Sequence, residues 1–101
     1  MTVDRTDHVL DGAGITSRAA FFDAIAVALS FPTYFGRNLD ALNDLLCDLS
    51  WLGPGRHVLV WTDSATLRAA DPAAFRGIRE VLRDAQRETR HNDRPFEAEL
   101  R

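Results

Sequence analysis

The run His57–Trp61, HVLVW, constrains the fold more than any other stretch. It is apolar without a break after its histidine, and two of its residues are β-branched. Such a run reads as a strand covered on both faces, as strands of parallel sheets are. Parallel neighbours cannot be joined by a tight hairpin. They need a long crossover, which is usually helical. Helical patterns lie on both sides of this run.

Residues 1–7 are polar and are expected to be frayed, and His8–Leu10 begins a short strand that Asp11-Gly12 and Gly14 end. Ser17 suits an N-cap. Phe21, Phe22, Ile25, Ala28 and Leu29 then fall at helical spacing until Pro32 breaks the pattern. Thr33 to Arg37 form a turn centred on Gly36, and Asn38 caps a second helix over roughly 39–49. Leu52-Gly53-Pro54-Gly55 is a loop before the apolar strand. Asp63 or Ser64 caps a short helix to about Ala70. Asp71-Pro72 signals the next start, a cap followed by proline at the first helical position. Phe75, Ile78, Val81, Leu82 and Ala85 carry that helix to about Thr89, and His91-Asn92-Asp93 ends it before Pro95. FEAELR, residues 96–101, alternates apolar and charged, as a strand with one solvated face does. The order β-α-α-β-α-α-β predicts an α/β fold, with a small three-stranded parallel sheet flanked by helices and a single domain over 1–101.

With 101 residues, 46% apolar and 27% charged, the chain has the composition of an ordinary globular domain. Its formal net charge of −3 speaks against nucleic-acid binding, which calls for a basic surface. Cys47 is the single cysteine, so no internal disulfide can form, which fits a reducing compartment. The opening residues lack the apolar core of a signal peptide, and no apolar run approaches the roughly 18 residues of a membrane span. A cytoplasmic monomer is expected. Phosphate-binding and nucleophile-elbow motifs are absent, and no cofactor is expected. Cys47 reads as a small core or boundary residue, since nucleophilic use would need a histidine nearby in space. His8, His57 and His91 are scattered without ligand spacing, so zinc is not expected, and His57 reads as ordinary surface or strand-edge chemistry.

The second helix poses a question. Leu39, Leu42, Leu45, Leu46 and Leu49 share one face, while Asp40, Asp44 and Asp48 make a stripe on the other. Asn43 and Cys47 lie between the stripe and the apolar edge. Like charges four residues apart repel by roughly 0.2–0.5 kcal/mol per pair. A straight helix face offers too few ligands to wrap a calcium ion. The stripe is either a solvated face or a surface meant for a basic partner. Tyr34 and Phe35, just before it, are either core aromatics at a turn or part of that surface.

The segment LSFPTYFGRNLDALNDLL resembles the barstar family of intracellular ribonuclease inhibitors. The family pattern is an aromatic pair, glycine, a variable residue, Asn-Leu-Asp-Ala-Leu, and an acidic residue two further on. Here it reads Tyr34-Phe35-Gly36-Arg37-Asn38-Leu39-Asp40-Ala41-Leu42, then Asp44. The strand before Gly12, the 57–61 strand, Arg83-Asp84-Ala85 on the late helix and the last strand extend the resemblance more weakly. It implies a non-enzymatic protein that plugs the basic active site of a small guanyl-preferring, barnase-like ribonuclease; the alternative is an immunity or interaction module of the same fold that binds a different basic toxin or protein. A carboxylate on a rigid helix can stand in for phosphate in such an active site.

Carried over by position, the resemblance makes Asp44 the residue that enters the phosphate site and Asp40 a second acidic contact. Tyr34 and Phe35 belong to the contacting turn, Tyr34 offering a flat surface to the active-site rim. Gly36 is expected to allow close approach and a φ that few residues tolerate. Asn38 and Leu39 add rim or backbone contacts. Asp84 matches a family glutamate on the late helix, with Glu80 one turn earlier as a substitute. Asn43 stands where the family's type member has tryptophan, and Arg37 replaces an acidic residue. Arg37 would oppose a basic partner unless it points away or meets a carboxylate. An enzyme using Asp40, Asp44 and Tyr34 as acid-base groups would need a concave pocket.

Overall fold

A computed structural model describes residues 5–101. Three strands, β1 (Arg5–Asp11), β2 (Arg56–Thr62) and β3 (Phe96–Leu100), alternate with helix pairs. The helices are α1 (Arg18–Ala28), α2 (Leu39–Asp48), α3 (Ala65–Ala70) and α4 (Pro72–Glu88). The order is β-α-α-β-α-α-β, and both pairings, β1 with β2 and β2 with β3, are parallel. The apolar run thus lies in the central strand, where residues 57–61 are all buried.

Local chemistry sets the helix starts. Ser17 Oγ accepts from the Ala20 N–H, Asn38 Oδ1 from Ala41 and Asp71 Oδ1 from Ala74, each satisfying a donor the first turn leaves unpaired. Pro72 takes the first position of α4. The short helix α3 departs from expectation. Asp63 is left-handed, with φ 49°, and Ser64 makes no side-chain cap. Ser64 instead uses its N–H and Oγ on the Arg101 carbonyl, tying the chain end to the start of α3.

The core draws Leu10, Leu59, Trp61 and Phe96 from one face of the sheet and packs them against α1, α2 and α4. Phe21, Ile25, Leu42, Leu46, Ile78 and Leu82 fill the helix side and are almost wholly excluded from solvent. Val58 and Val60 are also buried but lie on the opposite face, outside this cluster. Their register partners are Asp7 and Glu97, and Val9 and Glu99. Arg5 bridges Asp7 and Glu99, Arg56 pairs with Glu97, and Arg101 pairs with Glu99. The long arms of these charged side chains can cover the valines while their heads stay in water.

That lattice corrects the expectation of a frayed start. Residues 5–7 are strand, with Arg5 opposite Arg56 and Asp7 opposite Val58. Their polarity reflects a charged sheet face. Residues 1–4 lie outside the described part. His57 is not surface chemistry either. It is buried, its Nε2 lies 2.7 Å from the Gly53 carbonyl, and its Nδ1 lies 2.9 Å from Nε2 of His8. A carbonyl can only accept, so Nε2 of His57 carries the proton and Nδ1 accepts from His8.

Candidate partner-binding site

The turn before α2 is held from inside by aromatic rings. Phe35 is buried edge-on against Phe22 and Phe31, with ring centroids 5.8 and 4.9 Å away. Phe31 meets Trp51, whose indole N–H donates to the Leu29 carbonyl at 2.9 Å. The aromatic pair therefore divides. Phe35 points into the core and anchors the turn, whereas Tyr34 is 74% exposed.

Gly36 does not take the unusual φ expected of it. The left-handed residue here is Arg37, with φ 50°, not Gly36. A Cβ on Gly36 would lie 3.3 Å from Nδ2 of Asn38 and 3.6 Å from Cβ of Ala41. The missing side chain leaves room for the cap. Asn38 fills it, accepting from Ala41 at 2.8 Å and donating to the Gly36 carbonyl at 3.3 Å. Arg37 is turned onto α1, where its Nε pairs with Asp23 at 2.8 Å, so its charge meets a carboxylate of its own chain.

Along α2, Leu42, Leu45 and Leu46 are buried and Asp40, Asp44 and Asp48 are exposed. Asp40 sits in the first turn, where the helix dipole favours a negative charge. Leu49 closes the helix in a left-handed conformation with φ 50°. Asp40 and Asp44 have no ion-pair partner among the described residues. Leu39 is half-buried and reaches α4, its Cδ1 3.3 Å from where a Cβ of Gly77 would stand. At the other end, Cys47 Sγ lies 3.8 Å from a Glu88 oxygen. Contacts 39–77 and 47–88 make α2 and α4 run side by side in the same direction. Glu80 and Asp84 therefore stand level with the middle of α2.

Both are exposed, but they differ in charge balance. Asp84 is paired with Arg87 one turn on. Glu80 has no ion pair among the described residues. Asn43 is half-buried and lies next to Cys47, the sulfur 3.9 Å from its Oδ1. Burial, with help from Glu88 and Asp44, pushes the Cys47 thiol up from its ordinary value, the reverse of what a nucleophile needs.

Tyr34, Asp40, Asp44 and Glu80 are each exposed, with Asp40 and Asp44 one turn apart on α2 and Glu80 on the neighbouring α4. Phe35 is buried and Leu39 half-buried. Asp40 and Asp44 stand exposed on the helix face, an arrangement that suits docking. The Arg37–Asp23 pair had no signal in the sequence, because 14 positions separate its members.

A family model described as Barstar (barnase inhibitor) matches residues 6–101, nearly the whole chain. No curated protein matches it.

Proposed function

The chain belongs to the barstar family, whose members are inhibitors and not enzymes, and from that premise we propose that it silences a basic ribonuclease of the barnase type by covering its active site with α2. The observation that carries this reading is the pair of exposed carboxylates, Asp40 and Asp44, which have no ion pair among the described residues, on a helix capped by Asn38. In the proposed complex Asp44 takes the place of a substrate phosphate and accepts hydrogen bonds from the enzyme's arginine or lysine side chains. Asp40 makes a second acidic contact, and Tyr34 lies flat on the rim. Glu80, free of an ion pair, serves from α4 better than Asp84. The repulsion between Asp40 and Asp44, a small cost in the free protein, is relieved by the enzyme's positive charge.

Support comes from rigidity as much as from charge. The aromatic cluster beneath the turn and the Asn38 cap hold the surface in place before binding, which limits the ordering cost of association. Neutralisation of Arg37 by Asp23 removes a repulsive element from the same surface. The test is a ribonuclease assay with a barnase-type enzyme and increasing amounts of this protein. Loss of activity at a 1:1 ratio is expected, with Asp44→Ala weaker by ten- to a hundredfold, on the order of one lost charged hydrogen bond. Full nuclease activity in excess wild-type protein would overturn the reading and favour a basic toxin of other chemistry.

A further inference from the structure

The helix α4 separates its charges across its width. Asp84 and Glu88 lie toward α2, while Arg79, Arg83 and Arg87 border hollows that β3 residues also line. Between the arginine side and β3 runs an open cleft of about 740 Å³. Arg56, Arg83, Arg87 and Arg90 line it, together with Asp93 and Glu97. Glu97 is already paired with Arg56 at 3.0 Å, and Arg87 with Asp84. Arg83 and Arg90 have no ion pair among the described residues. Gln86 and Asn92 add amide donors between them. A smaller hollow of about 290 Å³ continues along the same seam, again past Arg83 and Gln86, to Arg79.

An acidic protein has therefore gathered four guanidinium groups around one concavity on the flank away from its acidic face. The helix dipole accounts for a cation such as Arg87 in the last turn of α4. It does not account for Arg56, which comes from a strand. We propose that this cleft binds a small anion bearing two or more phosphate groups, with Arg83 and Arg90 as the principal contacts. Guanidinium groups grip phosphate oxygens through paired, charge-assisted hydrogen bonds. The volume is that of a small-molecule site, which spans about 300–1,000 Å³. Phe96, the one aromatic in the lining, is fully buried, so no ring is available for a base to stack on. The cleft reads charge, and this favours a compact polyphosphate over an RNA strand. It shares no principal residue with the inhibitor surface, so failure of either reading leaves the other standing.

The probe is inorganic tripolyphosphate, titrated calorimetrically into the full chain at low salt. Saturable 1:1 binding is expected, weakened about tenfold or more in the Arg83→Gln/Arg90→Gln double variant, with the amide signals of Gly55, Gln86 and Asn92 shifting in the wild type. No saturation at millimolar concentration, or shifts confined to other surfaces, would overturn the proposal without reliance on the variant. So would equal affinity in a folded double variant, or sulfate binding as tightly as tripolyphosphate. A single-stranded RNA hexamer binding tighter than tripolyphosphate at the same arginines would replace the small ligand with RNA.

Discussion

Asn38→Ala tests how the acidic helix is held. The substitution removes the acceptor that meets the Ala41 N–H at 2.8 Å and the longer bond to the Gly36 carbonyl at 3.3 Å. Loss of an N-cap of this kind costs about 1 kcal/mol. The second bond is long and exposed and adds little. At about 2.1 cal/mol/K of unfolding entropy per residue, the chain of 101 residues unfolds with roughly 0.2 kcal/mol/K. The melting temperature should then fall by about 5 °C. Asn38→Asp keeps the acceptor and adds a negative charge at the positive end of the helix, so it should recover most of the loss. Thermal melts followed by circular dichroism measure both. The first turn of α2 carries Asp40, so Asn38→Ala should also weaken ribonuclease binding, though less than removal of Asp44. A melting temperature within about 1 °C of wild type, or an aspartate variant as unstable as the alanine one, would refute the capping argument.

Gly12→Ala should destabilise the fold by at least about 2 kcal/mol in urea titration, because its Cβ would lie 2.3 Å from the Thr62 carbonyl oxygen and 2.6 Å from Nε1 of Trp61. Burial and then His57 lower the His8 pKa below the ordinary 6.5, so the unfolded chain takes up that proton first. Stability should therefore be full above pH 6.5 and decline as pH falls through that value, and His8→Gln should flatten the slope in melts across that range. Hydrogen bonds from Arg5 and Arg101 hold Glu99 below 4.5, so its contribution is lost only at more acid pH. Asp44→Ala should change stability by no more than about 0.5 kcal/mol, since an exposed aspartate without a partner adds little to folding.

The elements legible in the sequence were those with local signals. Ser17, Asn38 and Asp71 act within three residues of themselves, and the apolar run at 57–61 needs no knowledge of its neighbours. The parallel sheet followed from that run and from the helical stretches between successive strands. What was hidden depended on register or on turn geometry. Arg5 and Asp7 look like a solvated tail until Glu99 is placed two strands away. Tyr34 and Phe35 are equivalent as letters, and only the path of the turn decides which ring faces inward. The same path puts the left-handed residue at Arg37 and makes Gly36 a matter of space for Asn38. His8 and His57 sit 49 positions apart and meet only because β1 and β2 pair in parallel. Of the candidate surface, the acidic stripe was readable from periodicity, while the pairing of Asp84 with Arg87 competes with its use toward a partner and shows only once side chains are placed.

The most direct test of the account is a calorimetric titration of this protein into a barnase-type ribonuclease, wild type beside Asp44→Ala, at low and high salt. The account predicts 1:1 wild-type binding that weakens with salt, and an Asp44→Ala variant of unchanged stability that binds ten- to a hundredfold more weakly, as loss of one charged hydrogen bond implies. Equal affinity for the two proteins, or binding indifferent to salt, would contradict the claim that the acidic face of α2 is the surface that acts.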